Sequence, residues 1–557
     1  MYDIQVLNFI KTQKTNFMKI YNKTIILFGL LLVSGNLILG CSNDDDNIVI
    51  ENSEAYFIDS NDGNDSNSGS SPEQPWKSFD NLKQITLEPG NTVNLKKGSV
   101  WNDVFQFKGS GDAANPIMIK SYGEGDKPKI AAQGKPYAFL IKNQEYIEVS
   151  DLEITNLGDS HENNRKGIYV EAKDYGVVNH LHFKNLEIHD VNGLHGGLPD
   201  GNFDNNKSSG GIVSIILGNS VETYFDDFLV ENCHIHNVSQ TGIYNSSSWE
   251  DREWPRNGGV YVNQSWVPSM NMVYRNNTIE HVAGNGVIIK NAHAPLVEYN
   301  KFDYCGELTS GNSAFCFNTD YALFQFNEVS NTVTNEGDVD SGGLDSDFKT
   351  RWTTIQYNYC HSNGEGGVLV TGGPARWNTA FNYETIIRYN LFVNNGDHAI
   401  KTSGNVMNLK VYNNHVYSDL DEAIEVIQHR SWEGYSRSAE YFNNIFFCNG
   451  VSGSVSLGDS TGNSIHDNMF SGVSDNTIIN KAINLWNIAP IYSVGSNPQI
   501  TSIENFRLSA TSPGIDEGNN NLYDAKNGNG GIIQINDIFG SNVYEGTSVD
   551  IGMEELE

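Results

Sequence analysis

The chain has 557 residues, with 68 acidic against 35 basic side chains and a formal charge of −33. A field of that sign excludes nucleic-acid binding through general electrostatics, and an anionic ligand would have to be held by local Lys or Arg or through bound cations. The 54 glycines, 26 tyrosines and 26 phenylalanines, with only 14 prolines, point to short strands and many turns.

At the N-terminus, Met18 is a candidate true start. Two lysines, Lys19 and Lys23, precede the apolar run Thr24–Val33, and Leu37-Ile-Leu-Gly-Cys41 follows. The run is shorter than the roughly 20 apolar residues a bilayer span needs, so it reads as a secretion signal. It resembles a bacterial lipoprotein signal, in which residues 1–40 are removed and Cys41 becomes the acylated N-terminus, carrying palmitate. The acidic run Ser42-Asn-Asp-Asp-Asp-Asn47 resembles the surface-export tags of Bacteroidetes lipoproteins. That resemblance implies a tether over 41–53 and a lipid anchor in the outer membrane at the cell surface.

Beyond the tether no linker divides the chain, and one elongated repeat domain over 54–554 fits best, with closing coils from about 485. A phrase recurs in it: Val297-Glu-Tyr-Asn300, Phe324-Gln-Phe-Asn327, Ile355-Gln-Tyr-Asn358, Ile387-Arg-Tyr-Asn390, Val411-Tyr-Asn-Asn414 and Tyr441-Phe-Asn-Asn444. Each copy is a short alternating strand ending in a turn residue. One copy cannot bury its apolar face alone, whereas stacked copies share a continuous core. Asparagines at one coil position can then ladder along the axis. The five cysteines after Cys41 lack metal-site spacing and read as buried thiols.

The opening Ala55-Tyr-Phe-Ile-Asp-Ser-Asn-Asp-Gly, with Pro75-Trp-Lys-Ser-Phe and Asn115-Pro-Ile-Met-Ile-Lys, resembles the first coils of secreted pectate-lyase-like proteins. Leu508-Ser-Ala-Thr-Ser-Pro-Gly-Ile-Asp and Val549-Asp-Ile-Gly resemble that superfamily's closing segment. The resemblance implies an all-β fold, a single-stranded right-handed parallel β-helix, monomeric and acting on a polysaccharide or oligosaccharide. It does not fix the reaction, since one fold hosts many chemistries.

A second strand in each coil opens on Gly or Ala, and its side chains alternate. Val287, Ile289, Phe315, Phe317, Leu344, Val368, Val370, Ile400, Ile424 and Val426 are assigned to the core. The opposite phase carries Tyr244, Tyr261, Asn263, Lys290, Cys316, Asn318, Asp320, Asp345, Asp347, Lys401, Glu425 and His429. Five carboxylates crowd Asn335–Asp347, and like charges that close need a cation or a shared proton. Calcium held by Asp320, Asp345 and Asp347 meets that need. So does a carboxylic acid and carboxylate pair for glycoside hydrolysis.

Lys290 is a candidate base beside the cluster, with His398 and Lys401 as further catalytic candidates and His361 as a possible proton carrier. Asn318, Glu425, His429 and Arg430 are candidate substrate-binding residues, the arginine suited to a carboxylate or sulfate. Asn318-Thr-Asp320 resembles the start of the polygalacturonase motif set, whose other elements do not follow. Three functions fit these residues. The first is β-elimination at a uronic acid, as in a polysaccharide lyase or oligosaccharide dehydratase, which Lys290 beside a calcium site favours. The others are a glycoside hydrolase using paired aspartates and a non-catalytic glycan-binding lipoprotein.

Overall fold

In a computed structural model, residues 55–556 are described except 203, 254–261, 339, 375–379, 451, 475, 496–497, 499–501 and 545. The signal, Cys41 and the tether lie outside the described residues. Three long parallel sheets of 15, 12 and 14 strands run the length of the molecule. Successive coils lay down one strand on each of the three sheets, as in Ser269–Arg275, Thr278–Val282 and Asn285–Lys290. We call these the first, second and third faces. The architecture is a right-handed parallel β-helix, the hand that parallel crossovers adopt. Among the described residues the only helices are two short 3-10 turns.

One residue type from each face fills the interior. Ile355, Ile387, Val411 and Tyr441 stack on the first face, and Cys360, Phe392, Val416, Phe446 and Phe470 on the second. Val368, Ile400 and Ile427 stack on the third, all fully or almost fully buried. Cys233, Cys305, Cys316, Cys360 and Cys448 are buried and free.

The turn from the first face to the second sets the register. Asn277, Asn300, Asn327, Asn358, Asn390, Asn414, Asn444, Asn468 and Asn484 form one buried column. Each Nδ2 donates to the next Oδ1 at 2.9 to 3.1 Å. The same Oδ1 accepts the preceding asparagine's backbone N–H, for example Asn358 N–H to Asn390 Oδ1 at 2.9 Å. The residue before each of the first eight is left-handed, with φ between 52° and 57°, although it is a tyrosine or phenylalanine in four coils. Such a conformation costs about 1 to 2 kcal/mol in an L-residue. Stacking of Tyr299 on Phe326 and of Phe326 on Tyr357, each with centroids 4.9 Å apart, offsets part of it.

The core is closed at its ends by Phe79 and Leu82, which sit over the first coils, and by Ile479 beside the last ones. Here the structure corrects the expectation of closing coils from about 485. Among the described residues after Leu485–Trp486 no strand joins the three long sheets, and the chain lies back along the outer corner as a strap. Tyr412 Oη donates to the Tyr523 carbonyl at 2.6 Å, and Asn413 Nδ2 to the Asp550 carbonyl at 2.8 Å. His293 Nε2 lies 3.0 Å from the Gly528 carbonyl. The open aromatic corner is what the strap covers, so adding coils would have left Tyr357, Tyr389 and Tyr412 wet.

Asn358→Ala should lower unfolding stability in urea by about 3 kcal/mol, because Asn327 loses the acceptor for both its backbone N–H and its Nδ2. An effect below about 0.5 kcal/mol would mean the column does not set the register.

Candidate active site

The third face is where the outward side chains depart from an ordinary solvated surface. In register order one outward column reads Tyr244, Ile288, Phe315, Asp345, Leu369, Lys401 and Gln428. The next reads Lys290 and Phe317 in adjoining coils, with Asp347 two residues beyond Asp345. Val213, Tyr244, Ile288 and Phe315 form a separate apolar cluster outside the core. This corrects the assignment of Phe315 and Phe317 to the interior: Ala314 pairs with Val287 and Cys316 with Ile289, so the small residues face in. Cys316, expected outward, is fully buried in the core.

The acidic segment lies on this face as expected, with a different membership. Asp320 is not part of it. The chain kinks at Asn318 (φ 57°) and leaves the third face, and Asp320 pairs instead with the guanidinium groups of Arg252, at 2.9 Å, and Arg351. Asp320 thus anchors the antiparallel hairpin of Glu250–Glu253 and Val262–Trp266, and Arg252 lies 4.1 Å from the Trp266 ring. Two arginines saturate it, so a calcium cage of Asp320, Asp345 and Asp347 does not assemble. Asn318 is also structural, donating to the Glu250 carbonyl at 2.8 Å. Tyr261 lies outside the described residues.

What remains is Asp340, Asp345 and Asp347. Asp345 is 3 % exposed; Asn312 Nδ2 reaches its Oδ2 at 3.4 Å, and its buried Oδ1 has no hydrogen-bond partner. Burial, then the charges of Asp347 and Asp340, push its carboxyl well above the usual carboxylate range. Burial raises Asp347 to about 7 and Asp340 to about 6. Lys207, Lys290 and Lys401 pull these values down without cancelling the shift. At neutral pH the trio therefore holds protonated and ionised carboxyls side by side.

Lys290 is placed on the groove as expected, its Nζ 5.2 Å from the Phe317 ring and 5.7 Å from Tyr244. Lys349 flanks Phe317 as well, at 5.6 Å. Lys401 sits one coil beyond Leu369 and pairs with Glu365 at 2.7 Å. His398, expected to carry protons at the groove, is 1 % exposed, with its ring packed on Gly366, where a Cβ would fall 2.0 Å from Nε2. Burial lowers its pKa, so it is neutral, and its Nδ1 lies 3.4 Å from Asp397. It supports the strand from behind. His361 belongs to the second face.

The last coil is reassigned in part. His429 points into the core, bonded to Tyr441 Oη and Ser460 Oγ, each at 2.8 Å. Val426 and Ile427 are both buried, so the alternation slips between them and reverses the expected phase. Glu425 and Arg430 pair with each other at 3.3 Å at the groove's end. Two contributors escaped sequence reasoning. Lys207 comes from a loop well before the cluster and lies 5.7 Å from the Phe315 ring. Trp432, 39 % exposed, returns from the following loop to meet Phe348 edge-on at 5.9 Å. Their only signal was a lysine and a tryptophan in loops rich in small polar residues.

Fold and site together define a right-handed β-helix protein with an aromatic, carboxylate-bearing surface on one face. A family model described as the right-handed beta helix region matches residues 245–431, the coils that carry this surface. The lacto-N-biosidase of Bifidobacterium longum subsp. longum is 25 % identical over 489 residues, covering 70 % of this chain. The chain spans only 28 % of that protein's length. The crystal structure of a GH136 lacto-N-biosidase from Eubacterium ramulus superposes with a TM-score of 0.55 at 26 % identity, over 65 % of this chain and 64 % of that one. Its selenomethionine form gives 0.57 at 24 %, over 70 % and 67 %.

Because Asp347 holds its proton up to about pH 7 when folded and to about 3.8 when unfolded, the folded chain binds the extra proton. Stability is then greatest below about pH 4 with respect to this group, and falls as pH rises toward 7. Asp347→Asn should flatten that fall, measured as urea midpoints at about pH 4.5 and pH 7.5; an unchanged slope would remove Asp347 as its source.

Proposed function

We propose that the protein is a carbohydrate-active enzyme of the glycoside hydrolase type, acting on oligosaccharides in the cleft of the third face. The observation that carries this reading is the trio Asp340, Asp345 and Asp347, three carboxyls raised first by burial, with Asp340 also acting on Asp347 and both of these acting on Asp345. Glycoside hydrolysis requires one carboxyl that gives a proton to the leaving oxygen and one carboxylate that attacks or activates water. A shared desolvated site supplies both forms near neutral pH, with Asp345 as the member both neighbours act on. The aromatic floor of Tyr244, Phe315 and Phe317, with Trp432 at one end, suits the apolar face of a pyranose ring. Likeness to lacto-N-biosidases supports hydrolysis and makes lacto-N-biose-containing oligosaccharides the first substrates to try.

β-Elimination remains the second reading, favoured by Lys290, whose charge acts on Asp347. It would need a uronate substrate, and a cation at Asp340, Asp345 and Asp347 would draw on calcium's preference for carboxylate oxygens. Purified protein should release new reducing ends from lacto-N-biose-capped oligosaccharides without ultraviolet absorbance, with and without chelator. Asp345→Asn should lower kcat/KM at least about 1000-fold, a loss of about 4 kcal/mol of transition-state stabilisation. Chelator-sensitive absorbance from a uronate glycan would replace hydrolysis with elimination. Full binding without any product, tolerant of Asp345→Asn, would favour a glycan-binding protein.

The lipoprotein reading places the enzyme on the outer membrane through Cys41. Labelled palmitate should enter the expressed full chain and be lost in Cys41→Ala; equal labelling of the two would sink the anchor.

A further inference from the structure

On the outer surface of the first face, well away from the cleft, three successive coils bring two histidines and two carboxylates together. Glu148 comes from Ile147–Ser150, His180 and His182 from Val177–Lys184, and Asp227 from Tyr224–Glu231. His180 Nδ1 lies 2.7 Å from Asp227 Oδ2, His182 Nε2 2.9 Å from Asp227 Oδ1, and His180 Nε2 3.1 Å from Glu148 Oε1. One ligand atom from each of Glu148, His180 and His182 can be chosen so that all lie within 4.8 Å of one another.

The backbone is shaped for this convergence. His180 and Asp227 occupy aligned left-handed kinks, at φ 51° and 65°, between the paired stretches of their strands. Neither is glycine, so each kink carries a conformational cost and turns its side chain out of the ordinary alternation. His180 and His182, two residues apart, both face the Asp227 carboxylate, with ring centroids 3.8 Å apart. Lys184 holds the far oxygen of Glu148 at 3.1 Å and leaves the near one to the cluster.

We propose that Glu148, His180 and His182 form a binding site for a zinc-class divalent cation that ties two coils together, with Asp227 of the next coil orienting the histidine rings. Two imidazole nitrogens and a carboxylate oxygen, with water as a fourth ligand, suit zinc, whereas calcium takes oxygen ligands alone. The location gives the site a structural purpose. At the asparagine-column position these coils carry Leu152, Leu186 and Cys233, and the column begins only at Asn277. A cation would supply on the outer face an inter-coil link that the amides supply further along.

The test uses the full chain stripped with EDTA and titrated with zinc chloride, reading stoichiometry by calorimetry and the thermal midpoint alongside. Two further groups, Glu187, His234 and His236 on the second face and Glu365, Asp397 and His398 at the third, are removed in a parallel His234→Ala/His236→Ala/Asp397→Asn protein, so that any uptake there is separated. Zinc should bind that protein at one site with micromolar or tighter affinity and raise its midpoint by at least about 3 °C. Adding His180→Ala and His182→Ala should abolish both effects. If this combined variant fails to fold, Glu148→Gln in the parallel protein should weaken binding at least tenfold. Zinc uptake that survives these changes, or a midpoint that zinc does not move, would overturn the site and leave the cluster as ion pairs.

Discussion

The structure depends on a buried amide that must be satisfied on both sides. Each asparagine of the column accepts from the coil before it and donates to the coil after it, so no coil can slip along its neighbour without leaving a donor unpaired in a dry interior. Fixed register at one corner fixes all three faces, because the strands between corners are only two to eight residues long. A groove made of side chains from separate coils then has the precision of a single strand. Asp345, Leu369 and Lys401, spread over 57 positions in sequence, are neighbours in one column for this reason.

Much of this was legible in the sequence where the period is chemically marked. The Asn phrase gave the coils between Asn300 and Asn444, the core phase of Val287, Leu344, Val368 and Ile400, and the outward placement of Lys290, Asp345, Asp347 and Lys401. The failures have a common physical origin. Alternation assigns large apolar residues to the core, but this face is itself apolar outside, so Phe315 and Phe317 were sent the wrong way. Asp320 was misplaced because a kink at Asn318 ends the strand two residues early. His429 was misplaced because alternation slips between Val426 and Ile427. Lys207 and Trp432 reach the cleft from loops, where periodicity carries no information.

The cleft also shows how an acidic protein can keep some of its acids neutral. Asp345 is buried and Asp340 and Asp347 half-buried, and desolvation raises all three, with the charges of Asp347 and Asp340 adding to it at Asp345. The lysines nearby moderate the penalty without ending it, which is the electrostatic condition for holding a proton near neutrality. Asp320, as buried as Asp345, is paired with two arginines instead.

The strap that lies back from Trp486 changes what kind of object the stack is. A solenoid of coils touching only their neighbours can fray or fold one unit at a time. Here a segment that leaves the ribosome after the last coil binds side chains from His293 to Asn413, and so joins distant units into one cooperative body. Until it arrives, the tyrosine-lined corner stands open beside a nearly finished helix. The vulnerable interval in the life of this chain is therefore its final one, when a folded solenoid still waits for its own fastening.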